Sequence, residues 1–96
     1  MRREVKILNE LGLHARPAAE FVRAVQKFSC DVIIWKDGER YSAASILEVL
    51  SANLDCGAAI TLEADGDDAG SAIDRLCELL EQFREQEEAD RRAGRG

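Results

Sequence analysis

The hydrophobic positions of this chain change period several times, and each change marks a predicted element. Apolar and polar residues alternate in REVKIL (3–8), which is typical of a β-strand. From Ala15 the apolar residues recur every three or four positions, which predicts a helix that runs to about Lys27. The apolar stripe of this helix consists of Ala18, Phe21, Val22, Val25 and Phe28.

Two further strands and a tight turn are predicted next. DVIIW (31–35) is apolar and β-branched, which favours a strand. The pair Asp37-Gly38 is typical of a two-residue hairpin, because a type I′ turn requires positive φ at both central residues. ERYS (39–42) is then the returning strand.

The second half of the chain predicts a helix, a strand and a helix. AASILEVLSANL (43–54) indicates a short helix, and AAITLEA (58–64) alternates as a fourth strand. The last helix has an apolar stripe of Ala69, Ala72, Ile73, Leu76, Leu80 and Phe83, widened by Cys77 and Leu79. The order β-α-β-β-α-β-α predicts two layers, with helices on one side of a sheet. The pattern leaves the strand order open, since a ferredoxin-like split βαβ arrangement would give nearly the same string.

The chain after Phe83 has no apolar residue larger than alanine. Glu87–Arg91 and Glu88–Arg92 are i,i+4 pairs in the favourable order, each worth about 0.2–0.5 kcal/mol. Such pairs do not hold a helix alone, so we expect fraying near the end. We therefore divide the chain into one domain (1–86) and a charged tail (87–96) that is either a helical extension or disordered.

Composition narrows the classes of function. The 96 residues carry a net charge of −6, which argues against nucleic acid as a partner. The longest apolar run, VIIW, is far too short for membrane insertion, and MRREVKIL has no apolar region typical of an export signal, so we expect a cytoplasmic protein. Cys30, Cys56 and Cys77 form no C-x-x-C motif, and one histidine does not complete a usual zinc set. We expect no metal, and reduced thiols that are buried or half-buried.

The single histidine lies at the predicted start of the first helix. Pro17 is tolerated in a first turn, which makes Ala15 about the first helical residue and His14 its cap. The helix dipole and Arg16 both favour the neutral imidazole, which is a nucleophile. The unpaired N–H groups of Ala15 and Arg16 suit an anion. These features lead to the hypothesis that His14 carries a phosphoryl group; the alternative is a surface cap with an arginine nearby by chance.

A family resemblance supports that hypothesis. GLHARPAAEFV (12–22) closely resembles the active-site segment of HPr, the histidine-containing phosphocarrier family of the bacterial phosphoenolpyruvate-dependent sugar phosphotransferase system. The likeness extends over about residues 3–83 and includes the hairpin, the SILEVLS helix and the G-x-x-I-T-L-x-A-x-G-x-D strand. It implies an α+β fold, an open-faced β-sandwich in which a four-stranded antiparallel sheet of order 1-4-2-3 carries three helices on one face.

The resemblance also implies the chemistry. Nδ1 of His14 takes the phosphoryl group from Enzyme I, Arg16 steadies it, and the amides of Ala15 and Arg16 contact it. The acceptors are the IIA domains of sugar permeases. The chain would be a stoichiometric carrier rather than an enzyme, without a cofactor, and we expect it to be a monomer.

Two features depart from the family pattern. Leu11 stands where many sugar-type members have a polar residue, which is more like the nitrogen-related branch, a regulatory phosphorelay. That branch is therefore an alternative function. The sequence after about Gln86 also exceeds the usual family length.

Ser45 is a second candidate site with two interpretations. It aligns with the serine that a dedicated HPr kinase/phosphorylase modifies in many bacteria, which would make the chain a binding module regulated through Ser45. Ser45 and Glu48 also form a capping box, in which the serine oxygen accepts from the Glu48 N–H and the Glu48 carboxylate reaches back to the Ser45 N–H. Glu48 stands where the family usually has glycine, and its charge would repel a phosphate.

The surface for partners is predicted on the first two helices. We expect Leu47 to contact partner proteins, while Ile46 and Leu50 fit the core equally well. Ala19, Glu20 and Arg23 follow His14 by one or two turns, and we expect the exposed ones at the same interface.

Overall fold

A computed structural model describes residues 1–93 of the chain. The elements follow the predicted order: β1 (Arg2–Lys6), α1 (Ala15–Gln26), β2 (Asp31–Lys36), β3 (Glu39–Ser42), α2 (Ile46–Ser51), β4 (Ala59–Asp65) and α3 (Ala69–Ala93). The β2–β3 hairpin turns at Asp37 and Gly38, whose φ angles of 52° and 81° are both positive, as the turn prediction required.

The four strands form one antiparallel sheet of order β1-β4-β2-β3. Strand β4 lies in the middle, where Ile60 is opposite Val5 of β1 and Leu62 is opposite Ile34 of β2. The three helices cover one face of this sheet, so the fold is the open-faced α+β arrangement that the family resemblance implied. The order 1-4-2-3 also resolves the topology that the hydrophobic pattern had left open.

The core lies between the sheet and the helices. Most of the predicted stripes are confirmed: in α1, Ala18, Phe21, Val22 and Val25 are buried, and in α3 all six stripe residues and Leu79 are buried. Phe28 follows the end of α1 and is half-buried, as is Cys77 in α3. The sheet meets them with alternate residues of β2 and β4, namely Val32, Ile34, Ile60, Leu62 and Ala64. Each large aliphatic side chain buried in this way contributes about 1.5–3 kcal/mol to folding.

The open face of the sheet carries the only tryptophan of the chain. The indole N–H of Trp35 donates to the Glu63 carboxylate on the neighbouring strand (2.7 Å). The guanidinium groups of Arg2 and Arg40 lie 5.7 Å and 5.8 Å from the ring centroid. Such cation–π contacts at exposed sites contribute about 0.5–1 kcal/mol.

Two predicted boundaries were too wide. Strand β1 ends at Lys6 instead of residue 8, and the exposed Leu8 lies outside the sheet. Helix α2 spans Ile46–Ser51, shorter than the predicted 43–54. Ser45 caps its start, and Asn53, with φ of 52°, turns the chain out of the helix. Ala43, Ala52 and Leu54 are buried outside the helix, and Ala44 is exposed.

Helix α3 runs for 25 residues, and it is continuous across the predicted boundary at residue 86. Neither predicted i,i+4 ion pair forms among residues 1–93. Arg91 instead pairs with Glu10 (3.3 Å), and Glu87 contacts the turn that precedes α1. Tertiary contacts therefore replace the Glu87–Arg91 pair. Residues 94–96 of the predicted tail lie outside the described residues, and the division into 1–86 and 87–96 stays a prediction.

All three cysteines are free, and only part of the expectation for them holds. Cys30 is buried and Cys77 is half-buried, but Cys56 is exposed. Cys56 lies directly before Gly57, whose positive φ of 88° turns the chain into β4, so it belongs to a surface loop. Within residues 1–93, no helix is both long enough and apolar enough to cross a membrane.

Candidate functional site

His14 is the N-cap of α1, and its imidazole is exposed. Its backbone is extended (φ −77°, ψ −171°), and its side chain makes no capping hydrogen bond. The backbone bonding of the helix begins with the Ala18 N–H, which donates to the His14 carbonyl (2.9 Å). Ala15 and Arg16 precede that bond and Pro17 has no N–H, so the helix offers the two amides no partner. An exposed ring and two unpaired donors therefore share one helix start.

The turn before the helix fixes where His14 lies. The Gly12 N–H donates to the Asn9 carbonyl (3.1 Å), and the Leu13 N–H donates to the Leu54 carbonyl (2.8 Å). Gly12 has a φ of 66°, and a Cβ at this position would collide with the Leu54 carbonyl oxygen. Only glycine fits this close approach between the turn and the loop after α2. Leu13 is buried, which anchors the residue directly before the histidine.

His14 and Arg16 line a shallow depression of about 360 Å³ between the start of α1 and the end of α3. The other lining residues are Asn9, Leu11, Pro17, Glu20, Phe83, Gln86, Glu87 and Asp90. Arg16 is the cation among these lining residues, and Glu20, Glu87 and Asp90 are the carboxylates. The combination of a nucleophilic nitrogen, one guanidinium and two amides without an intrahelical partner suits a small anion that forms a bond to the ring.

Glu87 and Asn9 belong to this site, and sequence reasoning missed both. The Glu87 carboxylate accepts hydrogen bonds from the N–H groups of Glu10 (2.6 Å) and Leu11 (3.1 Å), and from the Asn9 amide (3.2 Å). A signal for Glu87 was present, since it follows Phe83 by four residues and thus continues the buried stripe of α3. Because that stripe was apolar up to residue 83, a carboxylate on it marks a polar tertiary contact.

The predicted partner surface is exposed on α2. Leu47 is 75% exposed, and Ile46 and Leu50 are 36% and 39% exposed. The alternative that placed Ile46 and Leu50 in the core is therefore wrong; Val49 alone faces the core from this helix. The cause is the short length of α2, which turns a single face toward α1 and the sheet.

The three predicted contact residues on α1 differ in exposure. Arg23 is exposed, while Ala19 and Glu20 are half-buried. Leu11, in the turn before the histidine, adds another large apolar side chain that is 65% exposed.

Ser45 caps α2 as predicted, with its Oγ accepting from the Glu48 N–H (3.3 Å). The other half of the capping box differs from the prediction. The Glu48 carboxylate accepts from the Ser42 N–H (2.9 Å), because the Ser45 N–H already donates to the Ser42 carbonyl (3.3 Å) in a turn. Ser45 itself is half-buried.

A second carboxylate that accepts backbone hydrogen bonds is Asp68, directly before α3. It accepts from the N–H groups of Ser29 (2.9 Å) and Cys30 (3.0 Å), and these bonds, that from Ser29 first, lower the pKa of the Asp68 carboxyl. Burial raises the pKa of the Cys30 thiol, and the neighbouring Asp68 charge acts in the same direction. Among residues 1–93, no three His, Cys, Asp or Glu side chains gather into a group that could hold a metal ion.

Comparison with known proteins decides the family. The family model described as "PTS HPr component phosphorylation site" matches residues 1–82. The chain belongs to the PTS HPr family. It is therefore an HPr-family phosphocarrier, and the helix start that carries His14 lies within the matched segment.

Individual relatives bear different names within this family. The phosphocarrier protein HPr of Vibrio cholerae is 35% identical over 81 residues, which are 84% of this chain and 95% of the relative. The phosphocarrier protein NPr of Shewanella violacea is 37% identical over 81 residues, 84% of this chain and 89% of the relative. The HPr-like protein Crh of Bacillus subtilis is 34% identical over 82 residues, 85% of this chain and 96% of the relative.

Solved HPr structures share the fold. A crystal structure of HPr from Thermoanaerobacter tengcongensis superposes with a TM-score of 0.84 at 38% identity, covering 88% of this chain and 96% of that one. The HPr family match ends at residue 82, so the last turns of α3, including Glu87, lie beyond it.

Proposed function

We propose that His14 is the phosphorylated residue and that the chain is a sugar-type HPr. In this role, Nδ1 of His14 accepts a phosphoryl group from Enzyme I of the phosphoenolpyruvate-dependent sugar phosphotransferase system. It then passes the group to the IIA domains of sugar permeases. The observation that supports this most is the exposed His14 ring beside the two amides of α1 that have no intrahelical partner.

The transfer step follows from this arrangement. The Nδ1 lone pair of the neutral ring attacks phosphorus, the Nδ1–P bond forms, and the donor's bond to phosphorus breaks with its electron pair returning to the donor. Onward transfer is the same step with the acceptor as nucleophile. The Arg16 guanidinium and the N–H groups of Ala15 and Arg16 stabilise the phosphoryl oxygens. The helix end contributes only about 0.3–1 kcal/mol, so the group stays easy to transfer.

The partner surface in this proposal combines residues of α1 and α2. The exposed side chains of Ile46, Leu47 and Leu50 give Enzyme I and the IIA domains an apolar contact area. Glu20 and Arg23 on α1 form its polar side, next to Ala19. Arg23 is the exposed member of this group, so we assign it the direct contact.

The chain acts here as a stoichiometric, cytoplasmic carrier and as a monomer. A measurement of molar mass in solution tests the last point. A solved structure of HPr from Thermoanaerobacter tengcongensis is described as a dimer, and a dimeric mass for this chain would contradict the proposed monomer.

A regulatory relay of the nitrogen-related kind is the alternative, and two observations favour it. Leu11 is 65% exposed in the turn before His14, where many sugar-type members have a polar residue. The NPr of Shewanella violacea is as similar to this chain as the HPr relatives are. The chemistry at His14 would be the same, and the donor and acceptor proteins would differ.

Regulation through Ser45 by an HPr kinase/phosphorylase is a separate alternative. The α2 start would attract a phosphate there, but the hydroxyl is already bonded to the Glu48 N–H and the Glu48 carboxylate lies nearby. The Ser45 cap accounts for these contacts without any modification, so we rank this alternative below the carrier function.

The test is phosphorylation with labelled phosphoenolpyruvate and Enzyme I. We expect acid-labile, base-stable label on the wild-type chain and none on His14→Ala. Arg16→Ala should be labelled about 10- to 100-fold more slowly, because a charge-assisted hydrogen bond contributes about 1.5–3 kcal/mol.

Arg75→Ala is the control for loss of an exposed arginine, since Arg75 pairs with Glu78 on α3 outside the site. Label that persists on His14→Ala would refute the proposal. Comparison of sugar-type and nitrogen-type Enzyme I as donors separates the two branches: the true donor should give the higher kcat/KM.

A further inference from the structure

The end of α3 is tied to the turn that leads into the proposed phosphorylation site. Both carboxylate oxygens of Glu87 are engaged there: Oε1 accepts from the Glu10 N–H (2.6 Å), and Oε2 accepts from the Leu11 N–H (3.1 Å) and the Asn9 amide (3.2 Å). One turn further along the helix, Arg91 pairs with the Glu10 carboxylate (3.3 Å). A single carboxylate thus holds three donors from three consecutive residues.

The Asn9–Gly12 turn connects this contact to His14. Asn9 is 2% exposed, and its amide nitrogen donates both to Glu87 and to the Gly12 carbonyl (2.7 Å). Gly12 has no free space, because a side chain there would collide with the Leu54 carbonyl. A turn held at one end by Glu87 and closely packed at the other leaves His14, two residues past Gly12, little freedom to move.

We propose that Glu87 is a positioning residue for His14. Its carboxylate fixes the Asn9–Leu11 turn and thereby the place of the imidazole relative to the start of α1. Glu87 acts through the turn and not by touching the phosphoryl group. The inference rests on the proposed phosphorylation of His14 for its kinetic test, and it adds a residue that lies outside the family match, which ends at residue 82.

The effect should appear in the reaction more than in stability. Glu10 and Leu11 are exposed, so water can bond to their N–H groups when the carboxylate is lost. The buried Asn9 amide loses one of its two acceptors but keeps its bond to the Gly12 carbonyl. Folding therefore loses less than the reaction does, because the turn is no longer held in one place. Transfer of a phosphoryl group requires aligned atoms, and misplacement by about 1 Å can cost up to about a hundredfold in rate.

The kinetic test compares full-length Glu87→Ala, Glu87→Gln and Glu88→Ala with the wild type. Glu88 is the matched control, because it is the next residue on the helix, is exposed, and carries the same charge. We expect Glu87→Ala to lower the kcat of Enzyme I for this chain roughly tenfold with KM unchanged. Glu87→Gln keeps one acceptor oxygen and should recover part of the loss, and Glu88→Ala should match the wild type.

A second readout does not depend on phosphorylation. In ¹H–¹⁵N NMR spectra, Glu87→Ala should shift the amide signals of Glu10 and Leu11 and the ring signals of His14, and Glu88→Ala should leave them in place. Wild-type kcat in Glu87→Ala, an equal loss in Glu88→Ala, or a rise in KM alone would overturn the inference. If the wild type itself takes no label, the proposed function fails, and the His14 ring signals then decide whether Glu87 positions the residue.

Discussion

The first two helices of this molecule start in opposite ways. At α2, the Ser45 hydroxyl accepts from the Glu48 N–H, and the Glu48 carboxylate binds the Ser42 N–H, so the protein's own side chains close the start. At α1, His14 occupies the same capping position and makes no such bond. The start of α1 therefore leaves backbone N–H groups available to a ligand because no side chain caps them, whereas the start of α2 is capped by Ser45.

The difference between the two helix starts follows from the third residue of each helix. The third residue of α2 is Glu48, whose N–H is the usual partner of a serine cap. The third residue of α1 is Pro17, which has no N–H to offer. Proline thus prevents the most common closure of α1, while the amides of Ala15 and Arg16 stay available.

The largest expected effect comes from giving α1 the cap of α2. His14→Ser should abolish labelling by Enzyme I and raise the free energy of unfolding by about 0.5 kcal/mol, at the low end for caps because Pro17 leaves only the Arg16 N–H to bond. Urea unfolding and the phosphorylation assay measure the two effects. His14→Ala is the control that removes the ring without adding a hydroxyl. If His14→Ser and His14→Ala had the same free energy of unfolding, a serine hydroxyl at position 14 would not cap α1.

A smaller effect is expected from removing the serine cap of α2. Ser45→Ala should lower the free energy of unfolding by about 1 kcal/mol, since it removes a cap that α2 uses. Labelling of His14 should continue at the wild-type rate. Ser51→Ala is a control, because the Ser51 hydroxyl bonds the Leu47 carbonyl of the same helix and caps no N–H group. A slower transfer in Ser45→Ala alone would mean that the two helix starts are coupled.

The smallest effect is expected before α3, where Asp68 binds two N–H groups of a neighbouring loop. Because its pKa is lowered in the folded chain, the contribution is complete above the ordinary carboxyl pKa and is lost as the pH falls through the folded value. Wild-type stability should therefore fall below about pH 4, and Asp68→Asn should fall less steeply. Unfolding curves from pH 5 to pH 2 measure this, with Asp67→Asn, its exposed neighbour, as control. Parallel pH profiles of the wild type and Asp68→Asn would contradict the assignment.

Local patterns were enough to predict much of the fold. The start of α1 at Ala15 followed from Pro17, and the β2–β3 turn followed from Asp37-Gly38, because both residue types restrict or permit particular φ angles. The strand order came from the family resemblance, since the periodicity of a strand does not specify its neighbours. The position of His14 at the helix start was likewise readable from its own segment.

Contacts between distant segments were not predictable in this way. The extension of α3 looked unstable by its local ion pairs, but Glu87 and Arg91 bind a turn more than 70 residues away in the chain. Leu50 followed an apolar pattern that suits a core position, yet α2 buries Val49 instead. A distant partner determined the first outcome, and the face that α2 turns toward the core determined the second.

The position of Trp35 beside two arginines on the open face of the sheet has a practical consequence. The helices, and the histidine with them, lie on the other side of that sheet. The ring contacts Arg2, Arg40 and Glu63 from three other strands, and these contacts are lost when the strands separate. Its fluorescence offers an intrinsic reporter of unfolding that chemistry at the imidazole should leave undisturbed. Every variant at His14 and Arg16 can accordingly be checked for intact folding without attaching a dye.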